Sequence, residues 1–177
     1  GFIPVGDYYR TSVDSIFAIG DVVSVTPQLA HVASKEAELV VEYLAGEKVE
    51  PRLDPTTIPF GVYTEPEVAG FGYTEEEAKE KGYEAASDSF PIRGAGKSVA
   101  IEKTEGMVKI VYDTKTQEIL GARIVGTQAT DLIHELLLAR SSELVTTDIS
   151  KLIHAHPTLS EAVMEAARAT EGWMIHA

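Results

Sequence analysis

From residue 58 to 126 the chain is a succession of short apolar runs separated by turn residues. Two helix-length periodic stretches appear only after it. No other feature constrains the fold as much. Strands bunched ahead of helices cannot alternate as βαβ units, so they pack as an antiparallel sheet with helices on one side, an α+β domain. The runs predict strands at 58–63, 68–73, 83–90, 98–103, 107–112 and 118–126, and helices at 128–144 and 160–170 with a short turn at 149–153 between them. Asp113-Thr114-Lys115-Thr116-Gln117 carries turn chemistry and joins the last two strands as a hairpin. A further short helix is predicted over 74–82. Thr74 and Glu77 fit a capping box, acids fill its first turn, lysines its last, and Gly82 ends it.

The segment before this domain reads differently. Ile16 to Ile19 is an apolar run short enough for a buried strand stopping at Gly20. After Pro27, the residues Ala30, Ala33, Ala37, Val40, Val41 and Leu44 recur at helical spacing, with Gly46 as the stop. One strand and one helix do not make a sheet, so residues 1–47 read as the end of a larger α/β domain. Residues 48–57, with Pro51 and Pro55 and little apolar content, read as a linker to the domain at 58–177.

Composition narrows the chemistry. The 177 residues hold no cysteine, which excludes disulfide staples and thiolate chemistry by this chain itself. Fifteen basic residues against 28 acidic ones give a net charge of −13, a balance that disfavours nucleic acid and anionic membranes and favours basic partners. No apolar stretch approaches the ~18 residues of a membrane span, and the first ten residues lack the pattern of a signal peptide. The expected compartment is the cytoplasm, or the mitochondrial matrix in a eukaryote.

Three motifs carry candidate chemistry. Gly96-Lys97-Ser98 hints at a phosphate loop, but the glycine that pattern needs is Pro91, and the run after it reads as a β-hairpin. Gly20-Asp21 follows an apolar run and precedes a helix start, the place where α/β sheets bind ligands; Asp21 could accept hydrogen bonds from sugar hydroxyls or could merely close a turn. In His154-Ala155-His156-Pro157-Thr158-Leu159-Ser160-Glu161, histidines one residue apart point to opposite sides of extended backbone and are poorly placed to share a metal. His156 stands just outside a helix start, which favours the neutral ring that accepts protons, and Glu161 could orient it. Thr158 and Glu161 also fit a capping box, so the carboxylate could serve the backbone alone. His31, His134 and His176 show no partner pattern.

Taken together, these residues resemble the flavin-dependent pyridine nucleotide–disulfide oxidoreductases along the whole chain. Ile16-Phe17-Ala18-Ile19-Gly20-Asp21 resembles the second flavin fingerprint, and Gln28-Leu29-Ala30-His31 the helix start beneath the flavin. Tyr63-Thr64-Glu65-Pro66-Glu67 resembles the entry to the interface domain, Gly121 to Gly126 its central strand, and the paired histidines the dyad of members that oxidise dihydrolipoyl groups. Glutathione reductases match that pairing less well, and mercuric reductases lack the histidine.

The resemblance implies an enzyme that passes electrons from a dihydrolipoyl group on an acyltransferase partner, through a disulfide and FAD, to NAD+. On this implication His156 is the base, acting across a homodimer interface, Glu161 orients it, and Pro157 follows a cis peptide bond. Asp21 holds the FAD ribityl chain, while Gln28, Leu29, Ala30 and His31 face the flavin. No metal is implied. The family's redox cysteines, FAD-diphosphate loop and NAD domain precede the region seen here. The expectation is therefore a fragment holding half a site and inactive alone. The alternative is a non-catalytic dimerisation module.

Overall fold

The structure, a computed structural model, describes residues 1–176 and divides into two compact units that meet in sequence at Ile58 and Pro59. In the first unit, helix α1 (Ala30–Leu44) carries the buried stripe Val32, Glu36, Leu39 and Val40. Gly46, at φ +85°, closes its end as a Schellman cap, with Glu47 N–H donating to the Glu42 carbonyl and Gly46 N–H to that of Tyr43. Tyr9 is buried against Leu39 and Val40, with Phe17, Ile19, Val49 and Leu53 packed around them. The run at 16–19 does not form the expected strand. A strand needs a neighbour to take up its backbone hydrogen bonds, and here Phe17 makes only an isolated bridge to Arg10.

The second unit is an α+β domain built on a five-stranded, wholly antiparallel sheet. Its strands are β1 (Phe60–Val62), β2 (Glu67–Gly72), β3 (Ala85–Pro91), β4 (Met107–Asp113) and β5 (Ile119–Gly126), in the order β1-β2-β5-β4-β3. Asp113 Oδ1 accepts the N–H groups of Lys115 (2.9 Å) and Thr116 (3.0 Å), shaping the β4–β5 hairpin. The helices are α2 (Glu75–Glu80), α3 (Gly96–Ala100), α4 (Ala129–Ser141), α5 (Thr146–Lys151) and α6 (Glu161–Thr170).

Alternation splits the sheet into two faces. Phe71, Phe90, Ile110 and Ile124 point to the main core with Ile133 and Leu136 of α4 and Val163 and Ala167 of α6. Each such large side chain, fully buried, contributes about 1.5–3 kcal/mol. The opposite face is not bare. Ala78 of α2 packs there on Ala85, Val111 and Leu120, so one short helix departs from the one-sided arrangement. The Thr74–Glu77 capping box holds that helix: Glu77 Oε2 accepts Thr74 N–H (2.8 Å), and Thr74 Oγ1 accepts Glu77 N–H (3.2 Å).

The strand expected at 98–103 is a correction. Residues 96–100 form α3, a single helical turn, because Ser98 is buried with its hydroxyl 2.6 Å from the Ile92 carbonyl and 2.7 Å from that of Ala95. The edge of the sheet is taken by β3 instead.

Candidate functional site

Leu152 to Ser160 crosses from α5 to α6 without regular structure, and it presents its two histidines oppositely. His154 turns inward, its side chain 5% exposed, with Nε2 2.7 Å from Glu135 Oε1 on α4 and Nδ1 3.2 Å from the Leu152 carbonyl. His156 turns outward, 74% exposed, and the His156–Pro157 peptide bond is cis.

His156 and Glu161 are brought together. Nδ1 lies 2.9 Å from Oε1 and 3.2 Å from Oε2, and no hydrogen bond among the described residues occupies Nε2. Glu161 also takes the Thr158 N–H at 2.9 Å. The capping-box reading is thus half realised: the Thr158 hydroxyl donates to the Ala155 carbonyl (2.7 Å) instead of receiving the Glu161 amide. Burial raises the Glu161 pKa, but the Thr158 amide, the His156 hydrogen bond and the charges of His156 and His176 outweigh it. The carboxyl is held below its usual range. A carboxylate fixed on Nδ1 with Nε2 open is an arrangement that can accept a proton and stabilise the imidazolium formed.

A cavity of about 300 Å³ opens beside the dyad, lined by Phe90, Gly96, Met164, His156, Glu161 and His176 among others. Its floor includes a residue that sequence reasoning missed. Glu165 on α6 is 2% exposed and accepts the backbone N–H groups of Ile175 (2.7 Å) and His176 (3.1 Å) and the Arg168 guanidinium (2.5 Å). Burial raises its pKa, yet these donors win and lower it. The only signal was a glutamate inside the apolar stripe of α6. His176, which shows no partner pattern in the sequence, has Nδ1 3.3 Å from Glu165 Oε1.

In the first unit, Gly20 to Val22 form a single 3₁₀ turn, with Gly20 at φ +71°. The Asp21 carboxylate is exposed and makes no hydrogen bond within the described residues; only its backbone carbonyl is used, accepting Gln28 Nε2 at 2.9 Å. That removes the local-turn role for its side chain. Leu29 precedes α1, which begins at Ala30 and His31 with no side-chain cap and no acid in its first turn. An exposed carboxylate for hydroxyl groups and an uncapped helix start for electron-rich atoms suit the sugar-like chain and ring of a flavin. Among the described residues, no cluster of three or more His, Asp or Glu side chains could hold a metal, and no helix is long and apolar enough to cross a membrane.

Comparison with known proteins covers most of the chain. Residues 58–167 match the model of the pyridine nucleotide-disulphide oxidoreductase dimerisation domain, and residues 1–37 match that of pyridine nucleotide-disulphide oxidoreductase. A dihydrolipoyl dehydrogenase from Corynebacterium glutamicum is 46% identical over 99% of this chain and 38% of its own length. One from Bacillus subtilis is 43% identical over 99% of this chain and 37% of its own. The chain therefore spans under two fifths of these relatives. Among solved structures, LpdA from Mycobacterium tuberculosis superposes with a TM-score of 0.87 at 27% identity, covering 95% of this chain and 36% of that one. The HOCl-induced flavoprotein disulfide reductase RclA from Escherichia coli gives 0.88 at 26%, over 95% and 38%.

Proposed function

We propose, on the premise that the chain belongs to the pyridine nucleotide-disulphide oxidoreductase family, that it is the C-terminal part of a dihydrolipoyl dehydrogenase. The observation that carries the reading is the His156–Glu161 pair, with Nδ1 held and Nε2 open. Nε2 accepts a proton from a dithiol, leaving a thiolate to attack a disulfide, and Glu161 stabilises the imidazolium that results. The relatives' shared name supports a protein-bound dihydrolipoyl group as the substrate.

Asp21 would hold the hydroxyls of FAD, and the start of α1 at Gln28, Leu29, Ala30 and His31 would face its ring. When bound, FAD supplies the two-electron relay from dithiol to NAD+. The dimerisation domain supports a homodimer, and the exposed Leu138, Leu144, Leu152 and Ile153 provide apolar surface for it. The net charge of −13 favours a basic segment of a lipoyl-bearing acyltransferase as the docking partner. The compartment on this reading is the cytoplasm, or the mitochondrial matrix in a eukaryote. The test is NAD+ reduction by the full-length protein, with dihydrolipoamide as electron donor. Turnover supports the reading; a flavin-loaded dimer without it, active instead on glutathione disulfide, refutes it.

A further inference from the structure

The apolar stripe of α1 is interrupted by a carboxylate. Val32, Glu36, Leu39 and Val40 share the buried face, and Glu36 is fully buried among them. A buried carboxylate is costly unless its oxygens are used, and both are. Oε2 accepts the Gly20 N–H at 2.6 Å, and Oε1 accepts the Thr26 hydroxyl. These two donors are the ends of the loop that carries Asp21. Gly20 lies close on the same helix, one turn before Glu36: a Cβ at Gly20 would stand 3.2 Å from that of Ala33. Gln28 then ties the Asp21 carbonyl to the approach to α1. Every one of these contacts fixes backbone or Thr26, and none touches the Asp21 carboxylate, which stays exposed.

We propose that Glu36 is a positioning residue for flavin binding. Its buried carboxylate staples both ends of the 20–26 loop to α1 and so presets the Asp21 carboxylate relative to the helix start. The inference rests on the flavin reading above. Pre-ordering the loop removes a cost that binding would otherwise bear. Loss of the staple should therefore weaken FAD affinity while the chemistry at His156 is untouched.

The test uses the full-length enzyme, stripped of FAD and titrated back, with flavin fluorescence reporting the dissociation constant. Glu36→Ala should raise that constant roughly tenfold to hundredfold, the usual worth of a lost charge-assisted hydrogen bond. Thr26→Val, which removes one contact, should raise it a few-fold. Glu36→Gln can still accept from Gly20 and donate to Thr26, so it should restore most of the affinity. Leu39→Ala, on the same helix face but away from the loop, is the stability control. Wild-type affinity in both Glu36→Ala and Thr26→Val overturns the proposal, as does an equal loss in Leu39→Ala at matched melting temperature. Should Glu36→Ala fail to fold, Thr26→Val and Glu36→Gln decide it. A wild-type enzyme that takes up no FAD overturns the flavin reading itself, an outcome distinct from these.

Discussion

Replacing His156 with Gln in the full-length enzyme tests the proton-transfer assignment most directly. The side chain is largely exposed and its ring is held only by Glu161, so folding should change by no more than about 0.5 kcal/mol. Dihydrolipoamide oxidation should nevertheless fall by roughly two to four orders of magnitude, the usual contribution of a positioned base. Glu161→Gln has a different logic. The carboxylate serves two donors, His156 Nδ1 at 2.9 Å and the Thr158 amide at 2.9 Å. A carboxamide has one acceptor oxygen, so the substituted side chain would satisfy one N–H and turn its own NH₂ against the other. Losing one charge-assisted bond costs about 1.5–3 kcal/mol, which is roughly tenfold to hundredfold in rate when the loss falls on His156. Steady-state NAD+ reduction reads the effect, and NADH-driven reduction of a flavin-directed dye is the control because it needs no thiol deprotonation. Both activities falling together would refute the base assignment in favour of a structural role. So would His156→Gln turning over like the wild type.

Further perturbations test other parts of the structure. Glu165→Ala, which removes the oxygen that the Ile175 and His176 amides share, should free the segment after Trp173, accelerating hydrogen exchange at the Ile175 amide by roughly tenfold or more. Because its folded pKa is depressed, Glu165 contributes stability that is present above the unfolded value of about 4.3 and is lost as pH falls through the folded value. The same segment should therefore loosen in acid only below the ordinary carboxylate range. Burial, with the Asp88 hydrogen bond behind it, raises the Tyr112 phenol to about 12, so its stabilising share is lost as pH rises from about 10 toward that value. Asp88→Asn should lower the midpoint without restoring the ordinary value, and an unmoved tyrosinate absorbance curve would contradict this. Ile153→Asp, at a side chain almost fully exposed in the single chain, should shift the protein from dimer to monomer in light scattering; an unchanged mass would remove this surface from the interface.

The strands and helices of the second unit were legible because their signals are local. Alternation fixed the faces of β2, β4 and β5, and the Thr74–Glu77 box set the start of α2. The turn at Asp113 is written in its own side chain. The errors fall where composition suggests a strand that the hydrogen bonds do not make. Residues 98–103 have the composition of a strand, but the Ser98 hydroxyl finds the Ile92 and Ala95 carbonyls and closes a helical turn. The run 16–19 is apolar enough for a strand, yet a strand exists only as a member of a ladder, and Arg10 alone answers Phe17.

The site divides along the same line. His156 and Glu161 are five positions apart, so one loop and one helix start bring them together whatever the remainder of the fold does. Glu36 and Glu165 are different. On a helical wheel each is a charged residue on an apolar stripe, which sequence reasoning discounts as a boundary error or a solvated edge. What justifies them is backbone that folds back from elsewhere: Gly20 from 16 residues upstream for Glu36, and Ile175 and His176 from beyond the end of α6 for Glu165. None of these three amides announces itself in the sequence, because every residue except proline carries the same N–H. A glutamate on a buried helical face is thus a signal in its own right. It implies at least two unseen donors nearby, and in both units of this chain those donors belong to segments beside the candidate chemistry.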